Sequence, residues 1–437
     1  FPIASGSRQV AIGSCDGDLL DSVQPSYGMG IDFADEIISR AKQRHPGLNF
    51  VCADGIEFTS NQKFDFVILS DLVNDVWDVQ TLFEHIKTYC HPGTRILINF
   101  YSRLWAPVLN LAASLGLAQR TLEQNWLTVE DIANLLNLSG FEVVKKSSEV
   151  LFPLPVPLLK DFFNQFLVRF WPFTHLALTN LIIARPQPTP QNFPHNIPRP
   201  SVSVVVPARN ESGNIINIFE RLPKMGSFTE LIFVEGNSSD DTNAEIKRQI
   251  VLNPDVDCIL LNQTGHGKGD AVRLGFQHAR GDILMILDAD LTVPPEDLPR
   301  FYNAILDGKG EFINGVRLVY PMEKEAMRPA NFIGNKFFSL AFSWLLGQSI
   351  KDTLCGTKVL YKEDYIKIAN NRSYFGNFDP FGDYDLLFGA AKLDLKLVDL
   401  PIRYKERVYG TTNIQRWKHG WLLLKMVAFA AFRIKFK

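Results

Sequence analysis

Residues 186–200 carry six prolines, at positions 186, 188, 190, 194, 198 and 200, with Gln, Asn and Thr among them. Proline fixes φ and removes a backbone donor, so this run enters neither a helix nor a central strand. It reads as a semi-rigid linker and divides the chain in two. On each side, short apolar runs alternate with stretches of helical period. That βαβ rhythm predicts a parallel sheet in each half, an α/β chain of two doubly wound domains. The length of 437 residues allows two or three domains, and 46% hydrophobic residues give ample material for a core. A net charge of −2 argues against a nucleic-acid partner. The five cysteines (15, 52, 90, 258, 355) are odd in number and scattered without a CxxC pair. They predict reduced thiols in a cytosol-like compartment and no structural zinc. The chain opens on Phe1 with a strand soon after, so its N-terminus is expected to be truncated or processed. No signal peptide is visible, and no apolar stretch reaches the roughly 18 residues of a spanning helix.

In the second half, the apolar run Ile283–Leu287 delivers two carboxylates, Asp288 and Asp290, at its far end. The run predicts a buried strand, and ionised groups avoid a dry core, so both acids are expected at the strand tip. Two adjacent hard oxygen ligands suit Mg²⁺ or Mn²⁺ holding a diphosphate; a solvated polar turn is the alternative. Val202–Val206 is another strand, breaking at Pro207 into Ala-Arg209-Asn-Glu211. Leu231–Val234 ends at Glu235, followed by a Ser/Asp run suited to a helix cap. Gly265-His-Gly-Lys268-Gly-Asp270 precedes a helix and offers a lysine to phosphate oxygens.

Proline-bearing strand, acidic strand end, Gly-Lys-Gly and Asp-x-Asp occur here in the order of family 2 glycosyltransferases, which have the GT-A fold. Residues 201–420 resemble that family. The resemblance implies that Pro207, Arg209, Glu211 and Glu235 line a nucleotide pocket, with Lys268 and Asp270 near the base, ribose or phosphates. It implies that Asp288 and Asp290 hold the donor sugar and, through the metal, its diphosphate. The family often has two acids after the second strand; here they are Glu235-Gly236. The inverting base would be an acid at the start of the helix after Phe378-Asp-Pro-Phe-Gly, with Asp383 the best match and Asp385 the runner-up. At least one of the two is expected to be a helix N-terminal carboxylate favoured by the dipole. An acceptor that is already an ionised phosphate has less need of a base. Arg403, Lys405 and Arg407, before Tyr409-Gly-Thr-Thr, are placed to grip a lipid phosphate or the donor diphosphate.

From Pro401 to Lys437 nine Lys or Arg face a single acid, Glu406, with Trp417, Trp421 and apolar residues between. For residues 421–437 this predicts an amphipathic segment on an anionic membrane surface; a solvated basic helix face is the alternative. The helix around Ser339–Leu346 is either the floor of a lipid groove or core.

The first half reads as strands Gln9–Gly13, Tyr27–Asp32, Phe50–Asp54, Phe64–Asp71 and Arg95–Phe100, the last after a His91-Pro-Gly turn. A glycine turn after the first strand lets a ligand approach the backbone, and an acid ending the second can accept both ribose hydroxyls. Together these features resemble class I S-adenosylmethionine-dependent methyltransferases; this Rossmann-like domain is taken as residues 1–185. The resemblance implies a cofactor site with Gly13 and Gly17 beside the methionine part, Asp32 on the ribose, and Asp54 with Gly55 by the adenine. Two positions depart from the family: Cys15 stands for the middle glycine, and Ala11 for the acid two residues before the first. Gln124-Asn-Trp126-Leu either covers this site or starts a helix, and the Leu, Phe and Pro-rich segment 151–176 is a lid, a subdomain core or a lipid contact.

The whole chain looks like bacterial proteins that join the two activities. Its expected partners are a nucleotide-sugar donor and a lipid-linked or glycan acceptor, at the cytoplasmic face of the membrane. Two alternatives stay open: a non-catalytic docking module in the first half, and a nucleotidyltransferase in the second.

Overall fold

The computed structural model describes residues 6–116, 125–188, 198–317, 329–372, 384–403, 405, 407, 409 and 416–436. The chain separates into two compact units, Phe1–Pro188 with Phe436–Lys437, and Thr189–Lys435.

The first unit is built on β1 (Arg8–Ile12), β2 (Tyr27–Asp32), β3 (Asn49–Cys52), β4 (Phe64–Ser70), β5 (Cys90–Tyr101), β6 (Phe141–Glu149) and β7 (Thr179–Pro186). Their order in the sheet is β3-β2-β1-β4-β5-β7-β6. The strands are apolar on both faces because helices cover both faces. Val10 and Ile12 enter one core cluster and Ala11 another. The sheet is not purely parallel, as the rhythm predicted. β7 inserts antiparallel between β5 and β6, pairing Ile98 with Ile182 and Ser147 with Leu181. An apolar run is compatible with either direction of pairing, so the pattern could not give it. The expected His91-Pro-Gly turn also differs. Those residues lie inside β5, where the register against β4 slips between Phe64 and Phe66. The His91 amide donates to Thr94 Oγ1 (2.8 Å), whose hydroxyl donates to the Phe64 carbonyl (2.6 Å), so an irregular extension replaces the turn.

Segment 151–176 forms short helical turns whose rings stack on one another, Phe152 on Phe163 at 5.5 Å and Phe162 on Phe166 at 5.9 Å. Val168 is buried, but Leu158 and Trp171 are about four-fifths exposed, so most of this segment is surface rather than core.

The second unit contains β8 (Val202–Ala208), β9 (Thr229–Glu235), β10 (Asp257–Asn262), β11 (Ile283–Ile286), β12 (Phe312–Val316), β13 (Lys358–Tyr361) and β14 (Leu397–Pro401). Their order is β10-β9-β8-β11-β13-β12-β14, and here β13 is the antiparallel insertion, against both β11 and β12. Alternation along β8 sends Val202, Val204 and Val206 to one face and Val205 to the other; along β11, Ile283 and Met285 oppose Leu284 and Ile286. Each such side chain, fully buried, contributes roughly 1.5–3 kcal/mol.

The terminal helix Arg416–Ala430 places Leu423, Met426 and Ala430 in the core, and the helix Pro329–Leu346 does the same with Phe338, Phe342 and Leu345. Core packing thus takes one face of each. Leu340, Trp421 and Phe432 remain more than half exposed. Among the described residues no helix is long and apolar enough to cross a membrane.

Candidate active sites

In both units the first strand lies between the second and the fourth, so the strand order reverses beside it. Open α/β sheets bind ligands at such switch points, outside the carboxyl ends of the strands.

In the second unit, β11 ends at Ile286 and Asp288 and Asp290 follow directly, half-buried at the strand tip. Each carboxylate meets a cation. Asp288 Oδ1 lies 2.6 Å from Lys268 Nζ, and Lys268 opens the helix Lys268–His278. Burial raises the Asp288 pKa, but Lys268 overcomes this, helped by Arg317 and Lys358, and the group stays below the ordinary carboxylate range. Asp290 Oδ2 accepts from Arg407 (2.6 Å), while its Oδ1 accepts from the Thr292 amide and hydroxyl (3.1 and 2.8 Å). Arg407 also donates to Glu211 Oε1 at 3.0 Å. Burial pushes the Glu211 carboxyl up, and nearby Asp290 and Asp240 add to this, against the opposing pull of Arg407 and Asn214.

Gly356 closes the space behind these groups. A Cβ there would lie well inside 3.0 Å of both Asp288 Oδ2 and Lys268 Nζ. Its loop is held by Asp352, fully buried, which accepts from Arg317 Nε and Nη2 at 2.7 and 2.9 Å. Lys358, also fully buried, donates to Asn314 Oδ1 (2.9 Å) and the Cys355 carbonyl (2.6 Å).

The other residues singled out in the sequence fall into separate places. Pro207 lies within β8, which runs on to Ala208, and Arg209 is exposed just beyond it. Glu235 is buried and accepts from the Ser238 amide (2.6 Å). Burial works against its ionisation, yet Ser238 and Asn243 hold its pKa below the usual value, so it braces the loop after β9. In that loop the helix Thr242–Leu252 is capped not by Asp241 but by Asp240, which accepts from the Thr242 amide at 3.0 Å. Asp270 accepts from Gln263 (2.9 Å) and lies 3.8 Å from Arg273. Arg273 also approaches Asp385 (3.7 Å), as does Arg372 (3.4 Å), and the Leu386 amide donates to Asp385 Oδ1 at 2.9 Å. Asp383 lies outside the described residues, as do Gly410 to Thr412. Of the three basic residues after β14, only Arg407 reaches the strand-tip acids. Arg403 and Lys405 line a different cleft, of about 530 Å³, with Arg221, Glu296 and Arg300.

In the first unit the turn after β1 has Gly13 at φ 69, Cys15 at φ 47 and Gly17 at φ 83, all left-handed. At Gly17 a Cβ would also strike the Phe50 ring, so glycine is required there twice over. Cys15 adopts the same region with its side chain exposed, and its amide donates to Asp32 Oδ2 at 3.2 Å. Burial and then Asp32 raise its thiol pKa, so it stays protonated. Asp32 is buried and its Oδ1 accepts from the Ala34 amide (3.1 Å). Asp54 follows β3 and accepts from the Ile56 amide (2.9 Å), and a Cβ at Gly55 would strike Ile12. A pocket of about 150 Å³ lies against Gly13, Ser14, Cys15 and Asp71. Trp126 precedes the helix Val129–Leu138, which starts at a Thr128–Asp131 capping box; the Asn125 amide donates to the Asn74 carbonyl (2.7 Å).

Sequence reasoning missed Arg317, Arg273 and Arg372 as partners of acids. It also missed Asp71, although its place directly after an apolar strand was the same signal that singled out Asp288.

Residues 203–369 match the family model described as Glycosyl transferase family 2, and residues 10–98 match the one described as Methyltransferase domain. The low-salt glycan biosynthesis hexosyltransferase Agl6 of Haloferax volcanii is 27% identical over 232 residues, 51% of this chain and 52% of that protein. The undecaprenyl-phosphate 4-deoxy-4-formamido-L-arabinose transferase of Edwardsiella ictaluri is 38% identical over 218 residues, 48% of this chain and 62% of that protein. The dolichyl-phosphate beta-glucosyltransferase of Saccharomyces cerevisiae is 28% identical over 228 residues, 47% of this chain and 67% of that protein. The chain thus spans about half to two thirds of the length of these relatives. Both sheets reverse their strand order beside the first strand, and the chain carries in order a stretch that matches the Methyltransferase domain model and one that matches the Glycosyl transferase family 2 model.

Proposed function

We propose that the second unit moves a sugar from a nucleotide-sugar donor to a lipid-linked phosphate or glycan acceptor, with inversion and with Mg²⁺ or Mn²⁺ at Asp288 and Asp290. The observation that carries this reading is the pair of strand-tip carboxylates, each set against a cation of the chain: Asp288 against Lys268 and Asp290 against Arg407, both at 2.6 Å. Among the described residues no group of three or more His, Cys, Asp or Glu is placed to hold a metal by itself. The donor set nonetheless fits, because Mg²⁺ usually binds through one or two carboxylates, water and substrate phosphates. A dication there supplies a Lewis acid for the charge that grows on the departing diphosphate. Thr292 orients Asp290 for that task, and Lys268 and Arg407 bear on the phosphate oxygens as these arrive. Glu211 and Glu235 shape the nucleotide side.

Asp385 is set between Arg372 and Arg273, an anchor's environment more than a proton acceptor's. This favours Asp383 as the base, or an acceptor that needs none. A lipid phosphate is such an acceptor, and two of the relatives above are named for transfer to undecaprenyl or dolichyl phosphate. Trp421, under the Lys425 ammonium, and Phe432, next to Arg433 in the chain, are exposed and support an approach to an anionic membrane surface.

The deciding experiment is nucleotide release from a panel of nucleotide sugars with Mn²⁺ and a polyprenyl phosphate. Asp290→Ala should lower turnover by about 10²-fold or more, and unchanged turnover would discard the role assigned to the strand-tip acids.

For the first unit we propose binding of S-adenosylmethionine and methyl transfer. Gly13 and Gly17 allow close approach, Asp32 faces the ribose, and Asp54 with Gly55 lies at the adenine. The buried Ser14 hydroxyl has no partner among the described residues, which fits a site awaiting a polar ligand. A second reading, a docking module without turnover, is favoured by the small enclosed volume of about 150 Å³. Small-molecule sites commonly enclose ~300–1,000 Å³, so only one end of the cofactor would be enclosed. Calorimetry with the cofactor separates the two.

A further inference from the structure

S-adenosylmethionine is cationic at its sulfonium and its ammonium. The family's acid before the glycine turn answers that charge, and here Ala11 stands in its place. The pocket nevertheless has an acid on its wall. Asp71 follows β4, which pairs with β1 by setting Leu69 opposite Ile12, and it lines the same cavity as Ala11, Gly13, Ser14 and Cys15. Asp71 takes a left-handed conformation, φ 57, that aspartate tolerates better than most residues. Its amide donates to the Asn99 carbonyl (3.1 Å), and its Oδ1 accepts from Asn99 Nδ2 (2.7 Å), so backbone and carboxylate are both fixed. Among the described residues no Lys or Arg pairs with it. Burial, and then Asp75, raise its pKa: the carboxylate sits where a cation would be welcome. A separate observation points to a ligand in the same cavity. Ser14 is only 8% exposed, and its hydroxyl has no hydrogen-bond partner among the described residues.

We propose that Asp71 takes over the role of the missing acid, supplying from β4 the negative charge that holds the ammonium group of S-adenosylmethionine. This rests on the reading of the first unit as a cofactor-binding domain. Methyl transfer removes the charge on sulfur and leaves the ammonium in place, so the contact with Asp71 is common to both ligands and only its longer-range field on the sulfonium favours S-adenosylmethionine over its product, S-adenosylhomocysteine. The pocket then loosens its hold once the methyl group has left.

The test is titration calorimetry of the full chain with both ligands. Asp71→Asn should weaken S-adenosylmethionine binding roughly tenfold or more, weaken S-adenosylhomocysteine binding less, and leave the melting temperature unchanged within about 2 °C. Adding Ala11→Asp to that variant should recover most of the loss. If Asp71→Asn binds S-adenosylmethionine as the wild type does, the inference falls and the cofactor reading stands. If the wild type takes up neither ligand, both fall. Equal loss of both ligands without rescue by Ala11→Asp would make Asp71 a support of the loop and overturn the inference. Where asparagine lowers the melting temperature, Asp71→Ser is read by the same criteria.

Discussion

Gly356→Ala isolates the geometry of the donor site from its chemistry, because it removes no charge and no donor. The φ of Gly356 lies outside the left-handed region, so alanine brings no backbone strain. The new methyl group would come well inside 3.0 Å of Asp288 Oδ2 and Lys268 Nζ. Lys268 can give way, being the far end of a flexible chain, but Asp288 is a short side chain held at 2.6 Å by Lys268 itself. Relief therefore requires the carboxylate to turn or shift by about 1 Å, and a misplacement of that size can cost ~10²-fold in rate. The stability effect should be small. Weakening one partly exposed charged hydrogen bond costs about 1–2 kcal/mol, and replacing Gly by Ala returns roughly 0.4–1 kcal/mol through the unfolded chain. The remainder, about 1 kcal/mol, lowers the melting temperature of a domain of this size by ~2–4 °C. The assay is nucleotide release with Mn²⁺ in parallel with a thermal melt. Turnover within threefold of the wild type, with the melting temperature displaced as expected, would refute the argument that the Asp288 carboxylate must point where it does.

Asp352→Asn removes the fully buried anion that pairs with the Arg317 guanidinium, 11% exposed; the expected loss is about 3–5 kcal/mol in urea unfolding, and an unchanged midpoint would contradict it. Burial opposes ionisation of Asp352, but Arg317 holds its pKa below the unfolded value. The folded state therefore binds fewer protons, and the contribution, full above the ordinary carboxylate range, is lost as pH falls through the depressed value. Acid unfolding followed by circular dichroism should be less steep in Asp352→Asn than in the wild type, and parallel curves would count against the pair.

The strands were legible because burial on both faces leaves continuous apolar runs, as in Val202–Val206 and Ile283–Leu287. The two strand-tip acids were legible for a physical reason too: a charge next to such a run has only the end of the strand to go to. Direction was not legible. β7 and β13 read like their parallel neighbours, since pairing polarity depends on connections and not on side chains. Nor could spacing sort Arg403, Lys405 and Arg407. They are two residues apart and chemically alike, yet two line one cleft and the third reaches Asp290. The pairs Lys268–Asp288 and Arg317–Asp352 join residues that only the sheet brings together. The C-terminal helix shows a different limit. Its basic and aromatic composition pointed to a membrane surface, but composition does not say which face is already used, and Leu423, Met426 and Ala430 are in the core.

The dication proposed at Asp290 would compete with Arg407 for one carboxylate. The guanidinium sits 2.6 Å from Asp290 and 3.0 Å from Glu211, so a dication reaching Asp290 without a donor must first break that pair. A dication that arrives with a diphosphate meets a different balance, since Arg407 can exchange a carboxylate for a phosphate oxygen and lose little. The arginine thus favours the metal–donor complex over the bare metal. Arg407→Ala should strengthen Mn²⁺ binding in the absence of donor by about 5–150-fold, the range of a coupling of 1–3 kcal/mol. The same change should weaken the further gain on adding a nucleotide sugar and lower turnover with a polyprenyl phosphate. Calorimetry with Mn²⁺ alone reads the first effect. Removing Arg407 also takes away the cation that opposes the burial of Glu211, which raises the proton affinity of that carboxyl, so the comparison belongs on the alkaline side of neutrality. Weaker Mn²⁺ binding in Arg407→Ala than in the wild type would mean that the arginine organises the acids instead of competing for them, and the exchange argument would fail.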